Sequence, residues 1–129
     1  MAHGNFVLDK GYRAGSAPIT KFRAVKFSAA ETVVPVSAIT DQIAGFAQYS
    51  ISASEQARGK GCSTRVMGVT EAEATGPVVV GAAVTIAADG RVKTAATGER
   101  VVGRCVGFAA TNAGDRIALN LTINGALSP

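Results

Sequence analysis

With 129 residues, the chain is long enough for one substantial core and too short for two independent ones. Its 47% hydrophobic fraction is mostly Ala and Val, with five Phe, two Tyr and no Trp, so small side chains must fill the core and strands are favoured over helices. A formal charge of +4 favours an acidic partner without naming its class, and no stretch approaches the roughly 20 apolar residues of a membrane helix, so a soluble protein with no membrane partner is expected.

Residues 1–16 read as an extended N-terminal arm. It carries Asn5-Phe6-Val7-Leu8, Tyr12 and Arg13 but shows no clear partner strand. The opening Met1-Ala2-His3-Gly4 lacks the basic leader and apolar run of a secretory signal, which predicts synthesis in the cytoplasm. Across residues 1–26, Lys10, Arg13, Lys21, Arg23 and Lys26 face one acid, Asp9. Two readings stand side by side: a frayed terminus with solvated charges, or an arm that docks on a neighbour through Phe6, Leu8 and Tyr12.

Residues 17–129 read as a single β domain. Its first half, about 17–75, offers short apolar runs at 22–27, 33–37, 43–50 and 64–69. Pro35 lacks a backbone donor, so its strand is expected at an edge or a bulge. The loop from Ser52 to Gly61 contains one possible helical turn at Ser54–Arg58. Glu71 and Glu73 would share a face of an extended segment, but they precede the turn signal Thr75-Gly76-Pro77 and read as solvated charges.

The second half, about 76–125, is the cleaner. Asp89-Gly90 between Val84–Ile86 and Val92–Thr94 signals a tight hairpin. A further strand is expected over Val101–Phe108 and a turn over Thr111–Asp115. Ile117, Leu119, Leu121 and Ile123 then alternate with Ala118, Asn120, Thr122 and Asn124, the period of a strand with one buried face. This half repeats the first: Ala24–Phe27 matches Ala83–Ile86 at an offset of 59 (83 − 24), Val33 falls on Val92, and Ile43-Ala44-Gly45 matches Val101-Val102-Gly103 at 58. The predicted fold is all-β: a small barrel or sandwich of two similar halves preceded by the arm.

Chemistry is thinly supplied. His3 is the single histidine and lies at the chain start, so no Ser/His/Asp or Cys/His arrangement has a firm base. Cys62 and Cys105 have no paired spacing for a metal and are expected to be two free thiols. Gly59-Lys60-Gly61 and Gly11-Tyr12-Arg13 lack the spacing of a phosphate loop. Phe22, Phe27, Phe46 and Phe108 fall in apolar runs that predict burial, which leaves a nucleic-acid binder without stacking platforms. The hairpin tip Ala88-Asp89-Gly90-Arg91 has no Lys, which removes a lipoyl-type carrier. The expectation is no catalytic residue, no cofactor, no metal, no small-molecule substrate and no enzyme.

The segments Val79–Val92, Val102–Ala109 and Ala113–Leu121 resemble the small capsid decoration, or cement, proteins of tailed bacteriophages. The cadence Gly107-Phe108-Ala109, loop, Ala113-Gly114-Asp115-x-Ile117-x-Leu119 carries the likeness, and Ile43–Gln48 holds a looser copy. The resemblance implies a structural virion protein on the outer capsid surface. There it would bind the major capsid protein, commonly as a homotrimer at threefold positions, and stabilise the expanded head. On that reading Phe6, Val7, Leu8 and Tyr12 dock on the capsid protein or a neighbouring subunit, and Arg13, Lys21, Arg23 and Lys26 meet an acidic surface; Arg58 and Lys60 are weaker candidates. The alternative is a cell-encoded β-barrel that binds a carbohydrate or peptide, for which exposed aromatics are scarce.

Overall fold

The computed structural model describes residues 7–122. The first five strands are β1 (Leu8–Ala14), β2 (Ala24–Ala29), β3 (Thr32–Pro35), β4 (Gly45–Ala47) and β5 (Gly61–Met67), with one short helix, α1 (Ala53–Ala57), between β4 and β5. They close a barrel in the order β1-β3-β2-β4-β5. The second five are β6 (Val69–Glu73), β7 (Ala83–Ile86), β8 (Val92–Thr94), β9 (Gly103–Cys105) and β10 (Arg116–Leu121), in the order β6-β10-β9-β7-β8.

The two sheets are one pattern used twice. β2 pairs antiparallel with β3 and β4, and β7 does the same with β8 and β9. β5 pairs with β1 as β10 pairs with β6. The parallel closure of the first barrel, Arg13↔Thr32 and Ala14↔Val33, is reduced in the second unit, a five-stranded sheet, to the single bridge Ala74↔Val92, which curls its two edges together into a less fully closed barrel. The duplication therefore runs from 8 to 67 and from 69 to 121, with Gly68 as the joint.

Among the described residues the expected arm is largely a strand. Residues 8–14 are not an unpaired arm but the first strand of the first repeat, bonded to both β5 and β3. Phe6 lies outside the described residues. Pro35 ends β3, beyond that strand's pairing with β1, so its missing donor interrupts no bond there. The predicted run Val101–Phe108 contributes only three strand residues, Gly103–Cys105.

The interiors correspond position by position. Tyr12, Ala14, Ile19, Val25, Val33, Ala44, Ala47, Ile51 and Cys62 fill the first barrel. In the same order, Ala72, Ala74, Val78, Val84, Val92, Val102, Cys105, Ala110 and Ile117 belong to the second core. Sizes compensate: Tyr12 faces Cys62 across β1 and β5, whereas Ala72 faces Ile117 across β6 and β10. Such volume exchange is how a packed interior tolerates substitution.

The second core also takes Ala24, Val36, Ile43 and Phe46 from the first repeat, which joins the two barrels. Phe46 is fully buried, while its counterpart Arg104 is exposed. Polar contacts reinforce the joint. The Ala24 N–H donates to the Gly90 carbonyl at 2.8 Å and the Glu73 N–H to the Phe22 carbonyl at 3.0 Å. Arg23 donates through Nε and Nη2 to the Glu73 carboxylate at 3.2 and 3.3 Å.

Candidate functional site

The residues expected to meet a partner divide on the structure. Tyr12 is 8% exposed and points into the first barrel, so it does not reach a neighbour. Arg23 is held by Glu73 within the chain. Lys26 donates to Asp41 at 3.0 Å, and Asp41 also accepts the Ser37 and Ala38 N–H groups. The Ser37 N–H first, with Lys26 next, pulls the Asp41 carboxyl down to about 2. Arg23 and Lys26 are thus committed to intrachain partners. Val7, Leu8, Arg13 and Lys21 reach solvent. Leu8 pairs across to Met67, so Val7, Leu8 and Met67 form an exposed apolar end, at 43%, 47% and 60%.

The aromatic residues also depart from expectation. Phe46 alone among the four discussed is buried; Phe27 is 51% and Phe108 54% exposed, and Phe22 is half-buried. Alternation shows that one face of a strand is covered but not which face, and Phe108 lies in a loop. Phe27 meets the buried Tyr12 edge-on, with ring centroids 5.0 Å apart. The burial argument against nucleic acid therefore does not hold for these rings.

A second group of exposed apolar side chains stands on two loops of the second barrel. The loop after β6 presents Val79 and Val80, 67% and 58% exposed, and the loop after β9 presents Val106 and Phe108, 46% and 54%. Backbone bonds lock these two loops together. Val78 and Ala110 exchange N–H donors at 3.0 Å, Gly81 N–H donates to Cys105 O at 2.7 Å, and Arg104 Nη1 donates to Gly81 O at 2.7 Å. Val106 N–H reaches Ala118 O at 2.9 Å. The side chains thus stand on fixed backbone rather than on a mobile tip.

The first barrel repeats that backbone with different chemistry. Ile19 and Ile51 exchange the same pair of bonds as Val78 and Ala110, and Gln48 N–H meets Ser63 O as Val106 meets Ala118. By that correspondence Thr20 stands for Val79, Lys21 for Val80 and Gln48 for Val106, with Tyr49-Ser50 in place of residues 107–109. The fold accepts polar residues here, so the valines and phenylalanine of the second copy are not required for folding. Nothing in the sequence pattern marked them, because they sit at the ends of apolar runs that read as strands.

Among the described residues, no three metal-ligating side chains converge. No buried side-chain nitrogen or oxygen among them lacks a partner. No protein-family model and no curated protein matches the sequence. The fold is similar to the crystal structure of the head fiber gp8.5 N base in bacteriophage phi29, with a TM-score of 0.68 and 15% identity, over 94% of this chain and 98% of that one.

Proposed function

We propose that the chain is a structural virion protein that attaches to the outer surface of a phage head and stabilises the expanded shell by binding, with no catalytic step. The observation that carries this is the rigid apolar pair of loops at Val79-Val80 and Val106–Phe108. An exposed apolar group on fixed backbone is a surface awaiting a protein partner. The fold shared with the base of a phage head fiber and the decoration-protein cadence of the second repeat both support a head protein as that partner. The partner in this reading is the major capsid protein, and the assembly is a trimer at threefold positions, where many weak contacts add avidity.

The test is co-sedimentation with expanded, undecorated shells, comparing wild type with Val80→Lys/Phe108→Ser and with Val7→Ser/Leu8→Ser. The first pair installs residue types that the first barrel carries in the corresponding loops, so the fold is kept. Saturable binding by wild type and its loss in the Val80/Phe108 variant are expected. Absence of wild-type binding at micromolar concentration would discard the virion reading in favour of a ligand-binding barrel.

A further inference from the structure

The first barrel carries, where the second has its apolar loops, a cleft of about 520 Å³ lined by Lys21, Tyr49, Ser50, Ile51, Lys60 and Ser63. Ile51, 2% exposed, forms its floor. The Lys21 N–H donates to Ser50 Oγ at 3.0 Å, which ties the two walls together. Tyr49 is 67% exposed, its ring spread over solvent.

The cations here are only partly satisfied. Lys60 meets Glu55 at 2.6 Å, and the same carboxylate caps α1 by accepting the Ser52 N–H at 3.0 Å. Lys21 makes no ion pair among the described residues; its ammonium lies 5.6 Å from the centroid of the Phe22 ring.

The internal duplication serves as a control for what the fold demands. At the matching positions the second barrel has Val80 for Lys21, Asp115 for Lys60, Ala118 for Ser63 and Arg116 for Gly61, the last two on the same strand register. The first three exchanges each remove a positive charge or a hydroxyl, and the charge that Arg116 adds is turned to Glu71 at 3.7 Å. The basic, hydroxyl-lined character of the cleft therefore belongs to the first barrel's role, not to its folding.

We infer that this cleft binds an extended acidic segment of a partner protein. The carboxylates would sit on Lys21 and Lys60, the chain would pass over the Tyr49 ring, and the Ser50 and Ser63 hydroxyls would meet backbone groups. A second copy of this chain is a poor donor of such a segment. Seven of its nine acids, Asp9, Asp41, Glu55, Glu71, Glu73, Asp89 and Glu99, are ion-paired internally. Asp115 is taken by the N–H groups of Thr111 and Asn112, which leaves Glu31. Nucleic acid fits less well, because the cleft offers two cations and one aromatic platform rather than a basic track with a row of rings.

The inference is independent of shell attachment, since its assay contains no shell. Amide NMR spectra of the full chain are recorded with a capped peptide Glu-Leu-Glu-Leu-Glu, its Gln-for-Glu counterpart and an oligothymidylate. Saturable shifts confined to Lys21, Tyr49–Ile51 and Lys60–Ser63 are expected with the Glu peptide alone. Lys21→Val/Lys60→Asp, which copies the second barrel, should keep native spectral dispersion and bind the peptide at least about tenfold more weakly. Equal shifts with the Gln peptide, shifts scattered over the surface, or unchanged binding by the double variant would overturn the proposal. Saturation of the cleft by the oligonucleotide at lower concentration than the peptide would assign it to a polyanion instead.

Discussion

Gly45 and Gly103 stand in the same place in the two barrels, and a β-carbon on either would lie 2.4 Å from a carbonyl oxygen of the facing strand, that of Arg65 in the first and Asn120 in the second. The short strands β4 and β9 can pack this closely only without a side chain at that point. Gly45→Ala and Gly103→Ala should each cost about 1–3 kcal/mol, read as a lower urea midpoint at unchanged slope. Gly11→Ala, where nothing lies within 4 Å, should change stability by less than about 0.5 kcal/mol. Equal effects at all three sites would show that the strands can spread to admit a methyl group.

Because β1 closes the first barrel, removing residues 2–13 should do more than cut a docking arm. Twelve residues would go, including all of β1 except Ala14 and with it the pairing of Tyr12 to Cys62. The product should lose amide dispersion and cooperative unfolding, so its failure to bind shells would say nothing about contact. Deleting residues 2–6 leaves β1 whole and should retain the native spectrum. A well-dispersed spectrum from the longer deletion would show that the remaining strands close without β1.

The duplication was legible because its central strands share residue types: Val25 with Val84, Val33 with Val92, Gly45 with Gly103. Its first strand was not. β1 and β6 correspond at an offset of 60, yet they carry Lys10 against Thr70 and Tyr12 against Ala72, so the apolar row is broken in one copy and made of alanines in the other. Partner strands compensate those sizes across the barrel, and compensation between distant segments leaves no local signal. The candidate surfaces were hidden for a related reason. Val106 and Phe108 extend the apolar run of a strand that ends at Cys105. Whether Arg23 and Lys26 were free depended on Glu73 and Asp41, at separations of 50 and 15 residues.

Acid should weaken the loop that follows β3. Asp41 titrates at about 2 in the folded chain against an ordinary 3.8, held down first by the Ser37 N–H and then by Lys26. A carboxyl depressed by folding stabilises the fold above its unfolded value, and that contribution is lost as pH falls through the folded one. Glu55 behaves alike, at about 2, through Lys60 first. Thermal midpoints of wild type should therefore fall between about pH 4 and pH 2. Asp41→Asn should be less stable at neutral pH and fall less steeply, the two curves converging at the acid end. Parallel curves would remove Asp41 from the acid response.

Cys62 and Cys105 belong to different cores, and both are free and buried. Burial pushes the Cys62 thiol up, so little thiolate is present at neutral pH. An aromatic disulfide reagent should find no thiol in the native chain and both after denaturation. Rapid native labelling of either cysteine would mean that its barrel opens locally.

The paired sizes across each barrel make a sharper test of the duplication. Tyr12 against Cys62 in the first core does the work of Ala72 against Ile117 in the second. Cys62→Ile alone adds volume beside a tyrosine and should cost about 1–3 kcal/mol. Tyr12→Ala alone opens a cavity and should cost about 3–5 kcal/mol by analogy with Phe→Ala. Made together they install the second barrel's own pair, so the double variant should be more stable than the sum of the two losses, with a coupling above about 1 kcal/mol. Urea unfolding of the four proteins closes the cycle. Additive losses would mean that the two cores match in register but not in packing, and that the size exchange between them is coincidental.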